Sequence, residues 1–298
     1  MRVGDKIRFD FSKKQLSSMN EKIAVLQEQI SSGTKILRPS DDPVIYARNV
    51  EMTSEKDINT QYKRNLDRLN VFAGTYETVF SSVKDLLNTA KQLAVTQGSD
   101  QMDAASRETA AVQIEGIIEN LVTLGNTKVG NAYAFGGKRS NAAAFVLDDT
   151  DYSVTFQGTD DVQEVYVDGN TKEKLGISGK SAFYDGDTAS VFGALKELRD
   201  ALKNNDGDSI RTAIGSIDKA LDLTANNVAY IGTYSSTITT LTTQNATKGD
   251  LLTTTMSDMV GADMIQLVTE FNMLSNAYDA TISCLSRIMK MSILNYLG

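Results

Sequence analysis

The chain of 298 residues contains no histidine, no tryptophan, one cysteine and two prolines. Without histidine it lacks the most common general base, the Ser–His and Cys–His nucleophile pairs, and the imidazole ligands of most metal sites. A lone cysteine, Cys284, excludes an intrachain disulfide and a cysteine-rich zinc site. These absences predict a protein that is not an enzyme and that holds neither a metal nor another cofactor.

The sequence also lacks an excess of positive charge and any long apolar run. Its formal net charge is -8 and its sequence pI is near 4.8, which predicts that nucleic acid is not a partner. The first residues lack the apolar core of a cleavable secretion signal, and no stretch approaches the roughly 20 apolar residues that cross a bilayer. We therefore expect no membrane insertion. Composition alone also predicts a cytoplasmic protein, unless export uses a different signal.

Apolar residues recur every seven positions near both ends of the chain. This spacing is typical of a helix whose narrow apolar stripe packs against another helix. The N-terminal seam consists of Leu16, Met19, Ile23, Leu26, Ile30 and Leu37. The C-terminal seam consists of Val260, Met264, Leu267, Phe271, Leu274, Tyr278, Leu285 and Ile288. We interpret both as assembly seams; the alternative is that they are core faces of an intramolecular bundle.

Both prolines lie in one short segment, which consists of Pro39, Ser40, Asp41, Asp42 and Pro43. Either aspartate can cap a following helix, with Pro43 in the first turn, where its missing N–H group is harmless. Neighbouring carboxylates could also act as an acid–base pair, but in a capping segment they more often complement a helix dipole. The segment therefore predicts a helix start.

The remaining sequence alternates between helical and β patterns. Apolar spacing predicts helices over residues 55–97, 104–124, 191–202 and 210–231. Residues 138–190 alternate with a period of two between turn residues, which predicts a β-rich insertion that the helices do not need. Residues 235–256 are rich in threonine, a weak helix former; we predict a helix there, with a flexible linker as the alternative.

Two short strings resemble ligand-binding loops but lack essential positions. Gly179, Lys180 and Ser181 match the end of a phosphate-binding loop, whose other glycine is replaced here by Lys174. The Asp-Gly-Asp run that begins at Asp206 lacks the further ligands of a calcium loop. Both strings are better interpreted as turns.

Several segments resemble the flagellin superfamily. Residues 30–43, which end in Pro-Ser-Asp-Asp-Pro, resemble its N-terminal signature. Ser40 and Pro43 fit junction-type members better than filament flagellins, which usually have alanine at one of these positions. The Tyr-Ala-Phe-Gly-Gly run at 133–137 is similar to the exit from the family's helical rod, and residues 292–297 resemble a junction-type ending. The resemblance covers both terminal parts and leaves the middle unmatched.

The resemblance implies a mainly α fold, an elongated rod of long antiparallel helices with terminal coiled-coil segments and a small β-rich inserted domain. Residues 1–43 and 257–298 would form the coiled-coil assembly segments. Residues 44–137 and 191–256 would form the helical rod, and residues 138–190 the outer domain.

It also implies a function, a location and partners. The chain would be a structural protein of the bacterial flagellum, secreted by the flagellar export system with the help of an export chaperone. This route explains why no cleavable signal is visible. The partners would be hook-associated protein 1, flagellin and further copies of the chain, in a ring between hook and filament. A filament flagellin is the alternative.

Overall fold

The structure is a computed structural model that describes residues 2–185 and 189–297, with side chains described at residues 7, 9–184 and 190–287. Two compact units make up the chain. The first, called the terminal unit, comprises Met1–Ile58 and Lys248–Gly298; the second, called the central unit, is Asn59–Thr247.

The described part of the chain is mainly helical, as the sequence predicts. Its helices are α1 (Arg2–Ser32), α2 (Pro43–Gln97), α3 (Ala104–Gly125), α4 (Gly179–Phe183), α5 (Val191–Lys203), α6 (Gly207–Val260) and α7 (Met264–Leu297). Heptad spacing predicts the long helices well. Helix α2 begins at Pro43, as the proline segment predicts, and continues without a break into the regular apolar spacing that predicts a helix from residue 55.

Helix α6 runs without a break through the threonine-rich segment. Many of its threonine hydroxyls donate to the carbonyl four residues earlier, as Thr239 does to Ser235 at 2.9 Å and Thr243 does to Thr239 at 3.0 Å. This bond gives the hydroxyl a partner along the helix itself. The helical prediction for residues 235–256 is therefore confirmed.

The strands of the described residues form four two-stranded antiparallel hairpins. They pair β1 (Lys128–Val129) with β2 (Ala132–Tyr133), β3 (Phe145–Leu147) with β4 (Val154–Phe156), β5 (Glu164–Tyr166) with β6 (Lys172–Lys174), and β7 (Tyr184–Asp185) with β8 (Ala189–Ser190). Most of these strands lie within the predicted insertion, so its β character is confirmed. Isolated hairpins of this length are marginal in water, which means that they depend on packing against the helices.

An aromatic cluster joins the β-rich segment to the helices of the central unit. It consists of Tyr76, Phe80, Phe135, Phe145, Phe156, Phe183 and Phe192. Phe183 lies near its centre, with ring centroids 5.3 Å from Phe135, 5.0 Å from Phe145 and 5.3 Å from Phe192. The β-rich segment and the helices thus share one core. This packing argues against an insertion that the helices can do without.

A buried arginine closes one end of the central unit. Arg107 is 5 % exposed and donates to the carbonyls of Gln97, Ser99 and Asn205 at 3.0–3.1 Å, and to the side-chain oxygen of Asn205 at 2.7 Å. The rigid fork of a guanidinium can satisfy several carbonyl groups at once. Arg107 of α3 therefore holds the α2–α3 link and the α5–α6 link together.

An ion-pair network joins α3 to α5. The Glu115 carboxylate accepts hydrogen bonds from Arg199 at 3.0 Å and from Lys203 at 2.5 Å, and both Glu115 and Arg199 are largely buried. Burial raises the pKa of Glu115, but the hydrogen bonds from Lys203 and Arg199 outweigh it and hold this pKa below its usual value. The folded protein therefore favours the charged carboxylate.

Glu115→Gln should destabilise the central unit by about 1–3 kcal/mol at neutral pH, because a charged hydrogen-bond acceptor is lost beside two cations. Since the folded pKa is lowered, the carboxylate contributes its full stability above its unfolded-state pKa of about 4.3 and loses it as the pH falls through the folded value. Urea midpoints at neutral and acidic pH check this. The gap between wild type and variant should close in acid; an unchanged gap would contradict the prediction.

Candidate assembly surface

Helices α1 and α7 pack against each other in the terminal unit. Helix α1 ends where Gly33 adopts a φ of 69°, a conformation that glycine accepts at little cost. The following Thr34 forms an antiparallel bridge with Gly261, and the Lys35 amide donates to the Val260 carbonyl at 2.8 Å. Because α1 ends and α7 begins beside this bridge, the two helices run antiparallel.

The two acidic residues of the proline segment have separate structural roles. The Asp42 carboxylate accepts from the amides of Val44 and Ile45, both at 3.0 Å, and so caps α2. The Asp41 carboxylate accepts from the amides of Leu37 and Arg38, both at 3.0 Å. The bonds from Leu37 and then Arg38 lower the pKa of Asp41. Capping by Asp42 agrees with the sequence prediction, and these bonds show no sign of an acid–base pair.

The other members of this segment lie on the surface. Pro39 and Ser40 are exposed in the turn, and the exposed Pro43 is the first residue of α2. A second cap of the same kind begins α7, where Asp263 accepts from the amides of Ile265 at 2.9 Å and Gln266 at 3.1 Å. Aspartate caps therefore start both helices that leave the bridge region.

Most of the predicted seam residues lie at the α1–α7 pair and are only half-buried. In α1 these are Leu16, Met19, Ile23, Leu26 and Ile30. In α7 they are Leu267, Phe271, Leu274, Tyr278 and Leu285. Met264 is 41 % exposed, and the side chain of Ile288 lies outside the described residues. A single chain thus covers these stripes only partly, and their role in assembly stays a prediction.

Two predicted seam residues do not belong to the helices that carry the seams. Leu37 follows the end of α1 and lies in the link to α2, because Gly33 turns the chain out of the helix. Val260 is buried, but it is the last residue of α6 and is separated from α7 by the bridge. The heptad spacing continues through both breaks, so spacing alone did not reveal them.

A second set of apolar side chains faces outward from α1 and α7. It consists of Ile7, Phe9, Phe11, Val25, Ile265, Val268, Met273 and Ile282, with Ile265 as much as 82 % exposed. All of them except Phe9 lie off the a and d positions, and Phe9 continues the Leu16 row one heptad before the predicted seam begins. The many apolar residues of α7 outside its seam could have indicated part of this set, whereas α1 outside its seam is mostly polar. This set is called the outer apolar set below.

A groove of about 770 Å³ lies between α1 and α7. Its apolar lining includes Val25, Leu26, Met273, Leu274 and Ala277. Exposed apolar area of this kind marks an interaction surface more often than an accident of folding. The terminal unit therefore presents an apolar groove and further apolar side chains to solvent.

The described residues of the terminal unit offer a surface for helix packing. Within the described residues, no group of three or more histidine, cysteine or acidic side chains is placed to hold a metal ion. Likewise, none of the helices in this part of the chain is both long and apolar enough to cross a bilayer.

Comparison with known families agrees with this helical architecture. A profile of the bacterial flagellin N-terminal helical region matches residues 12–139, and one of the flagellin C-terminal helical region matches residues 214–297. Together these matches cover more than two thirds of the chain. The chain belongs to the bacterial flagellin family. The family's two helical regions include the α1–α7 pair, apart from the first residues of α1.

Two curated relatives align over almost their whole length. The flagellar hook-associated protein 3 of Salmonella typhimurium is 25 % identical in an alignment that is 316 residues long. The alignment covers 98 % of this chain and 98 % of the relative. The protein of the same name from Escherichia coli is 26 % identical over 285 residues, with 89 % and 90 % covered. The similarity therefore extends through the middle of the chain, where flagellin family profiles do not match.

Solved structures show the same fold at low sequence identity. A putative flagellar hook-associated protein from Vibrio parahaemolyticus superposes with a TM-score of 0.67 at 15 % identity, over 74 % of this chain and all of that one. Flagellar hook-associated protein-3 from Legionella pneumophila gives a TM-score of 0.62 at 12 % identity, over 70 % and 98 %. At such identity these likenesses establish the fold.

Limited proteolysis of the isolated chain should remove α1 and α7 first and leave a fragment close to residues 59–247. The seams are half-buried in the terminal unit, whereas the central unit has a continuous buried core. Helices without a full packing partner unfold locally at low free-energy cost, and proteases cut such unfolded segments. Mass spectrometry of the stable fragment checks the boundaries. Survival of the intact chain under conditions that digest a denatured control would contradict this expectation.

Proposed function

We propose that this chain is a structural junction protein of the bacterial flagellum. In this role a ring of its copies connects the hook, through hook-associated protein 1, to the flagellin filament. The observation that carries the proposal is the α1–α7 pair, which exposes apolar side chains on several faces in a single chain. Removing such surface from water yields about 25 cal/mol per Å². Neighbouring subunits would supply the cover.

The location and route follow from the same proposal. A junction protein lies outside the cell as part of the flagellum, and it would leave the cell through the flagellar export system with an export chaperone. Support comes from the near full-length similarity to relatives named flagellar hook-associated protein 3. The role is structural, and no catalytic step is part of it.

A filament flagellin is the second candidate, favoured by the two flagellin profiles alone. The two candidates differ in what the purified chain does. A filament subunit polymerises by itself into long filaments, whereas a junction protein forms at most short assemblies without its partners. Electron microscopy of the concentrated protein, with a flagellin as positive control, separates them.

The cellular experiment is deletion of the gene in the source bacterium. In the deletion strain we expect flagellin to be exported and to accumulate in the medium, because the flagellin has no surface on which to assemble. Reintroducing the full chain should restore filaments. Normal filaments on the deletion strain would contradict the junction function, and loss of flagellin synthesis or export would place the chain at another step.

A further inference from the structure

The sequence contains three Asp-Gly pairs, which differ in their surroundings. Glycine after aspartate leaves the next amide nitrogen unshielded, because it has no side chain. One pair is Asp168 and Gly169, in the loop between β5 and β6, and another is Asp206 and Gly207, at the start of α6. Gly186 of the third pair lies outside the described residues. The first two therefore allow a comparison within one molecule.

In the first pair the reacting groups lie next to each other. A carboxyl oxygen of Asp168 is 2.7 Å from the amide nitrogen of Gly169. The Gly169 amide donates this hydrogen bond, which keeps its nitrogen next to the carboxyl group that it would attack. Both residues are exposed, and a Cβ built at Gly169 would meet no atom within 4 Å. The loop thus gives the two groups proximity and room to move, which together favour an intramolecular reaction.

In the second pair the carboxylate is engaged elsewhere. Asp206 accepts from the amides of Asp208 and Ser209, both at 3.1 Å, and from the Ser209 hydroxyl at 2.6 Å. These bonds, with those from Ser209 first, lower the pKa of Asp206 and favour the unreactive carboxylate. Gly207 is the first residue of α6, so its backbone is held in the helix.

We propose that Asp168 and Gly169 form a self-modification site, at which the Gly169 amide nitrogen attacks the Asp168 side-chain carboxyl group to give a succinimide. A bond forms between this nitrogen and the carboxyl carbon. The bond from that carbon to its hydroxyl oxygen breaks, and the hydroxyl leaves with the amide proton as water. Water then reopens the ring. Attack at the main-chain carbonyl gives isoaspartate, and attack at the side-chain carbonyl restores aspartate.

Isoaspartate routes the main chain through the side chain of residue 168 and so adds one carbon atom to the backbone of the loop. The neighbouring Val167 is 3 % exposed, and its amide donates to the Thr171 carbonyl at 3.0 Å. The loop is therefore held at its base by a buried residue and a hydrogen bond. The added atom should deform the exposed tip and leave the core in place. This inference does not depend on the proposed function.

The test is to incubate the folded, full-length protein for weeks in water enriched in heavy oxygen at mildly acidic pH. Hydrolysis of a succinimide places one solvent oxygen in the product, so the peptide that contains Asp168 should gain mass, and isoaspartyl methyltransferase should label it. We expect at least about tenfold more label at Asp168 than at Asp206, because the Asp168 carboxyl group contacts the Gly169 amide, whereas Asp208 and Ser209 hold the Asp206 carboxylate.

Two variants and one condition serve as controls. Asp168→Glu should abolish the label, because the longer side chain would have to close a larger, slower-forming ring. Gly169→Ala should reduce it several-fold while the protein stays folded, since there is open space at that position. In denaturant both Asp-Gly pairs should react at similar rates. Equal labelling of the two pairs in the folded protein, or no label at Asp168, would overturn the proposal.

Discussion

Replacing Phe271 with aspartate is expected to abolish motility and to release flagellin into the medium, while the unfolding of residues 59–247 stays unchanged. Phe271 is a half-buried member of the C-terminal seam, in the terminal unit. If neighbouring subunits complete its burial, the new carboxylate must lose its water without a partner. An uncompensated buried charge costs about 3–5 kcal/mol, and a ring would incur that cost in every subunit.

The control for this variant is Asn272→Asp. It adds the same charge one position further along α7, at an exposed site, and it should support normal motility. Complementation of the deletion strain on soft agar, with flagellin measured in cells and medium, gives the assembly readout. Thermal unfolding of both purified variants gives the stability readout.

The possible results separate assembly from folding. If Phe271→Asp lowers the main unfolding temperature of the purified chain, the C-terminal seam is part of the ordinary core. If the variant assembles normally, then neighbouring subunits do not cover Phe271. Loss of assembly by Asn272→Asp as well would point to the charge of α7 as a whole, and not to the seam. The single chain already covers Phe271 partly, so a modest loosening of the α1–α7 pair is compatible with the prediction.

Sequence periodicity predicted the long helices because their buried faces repeat regularly. In α2, for example, Leu66, Leu69, Ala73, Tyr76 and Phe80 are all nearly inaccessible to solvent. The same periodicity misplaced Leu37 and Val260, since the apolar spacing happens to continue across two helix ends. Before Leu37, a turn at Gly33 with positive φ ends α1 without changing the apolar pattern around it, and after Val260 the chain leaves α6 at the bridge residue Gly261.

The outward face of the terminal unit could not be predicted from the seam rule. Ile265 and Met273 are 82 % and 62 % exposed and lie off the heptad positions. A sequence pattern gives the side of a helix that meets one partner, whereas an assembling helix can meet several. Burial within one chain identifies the outer apolar set, and its partners stay a proposal.

Long-range packing of the β-rich segment was equally hidden from local analysis. Phe183 is the last residue of the five-residue helix α4, where no periodicity can be read. Its neighbours Phe80, Phe135 and Phe145 come from distant parts of the sequence, and Phe192 follows nine residues later in α5. Only the tertiary structure brings these five rings together. It is for this reason that residues 138–190 resemble a separable insertion in sequence, although they share the helical core in the structure.

Phe183→Ala is expected to destabilise the whole central unit by about 3–5 kcal/mol, because it leaves a ring-sized cavity where four other aromatic rings meet. Phe183 is inaccessible to solvent. For a unit of this size, such a loss lowers the melting temperature by on the order of 10 °C. The helical circular dichroism signal should melt earlier as one transition, since Phe80 of α2 and Phe192 of α5 lose contacts together with the β-rich segment.

Val146→Ala is the matched control. It lies in β3 next to Phe145 but is 47 % exposed, so it should change the free energy of unfolding by at most about 0.5 kcal/mol. If Phe183→Ala leaves the helical melt unchanged and affects only tyrosine fluorescence near the hairpins, the β-rich segment is an independent graft on the helices. A shared shift of both signals is what a single core requires, because cooperative unfolding follows contacts and not the order of residues in the chain.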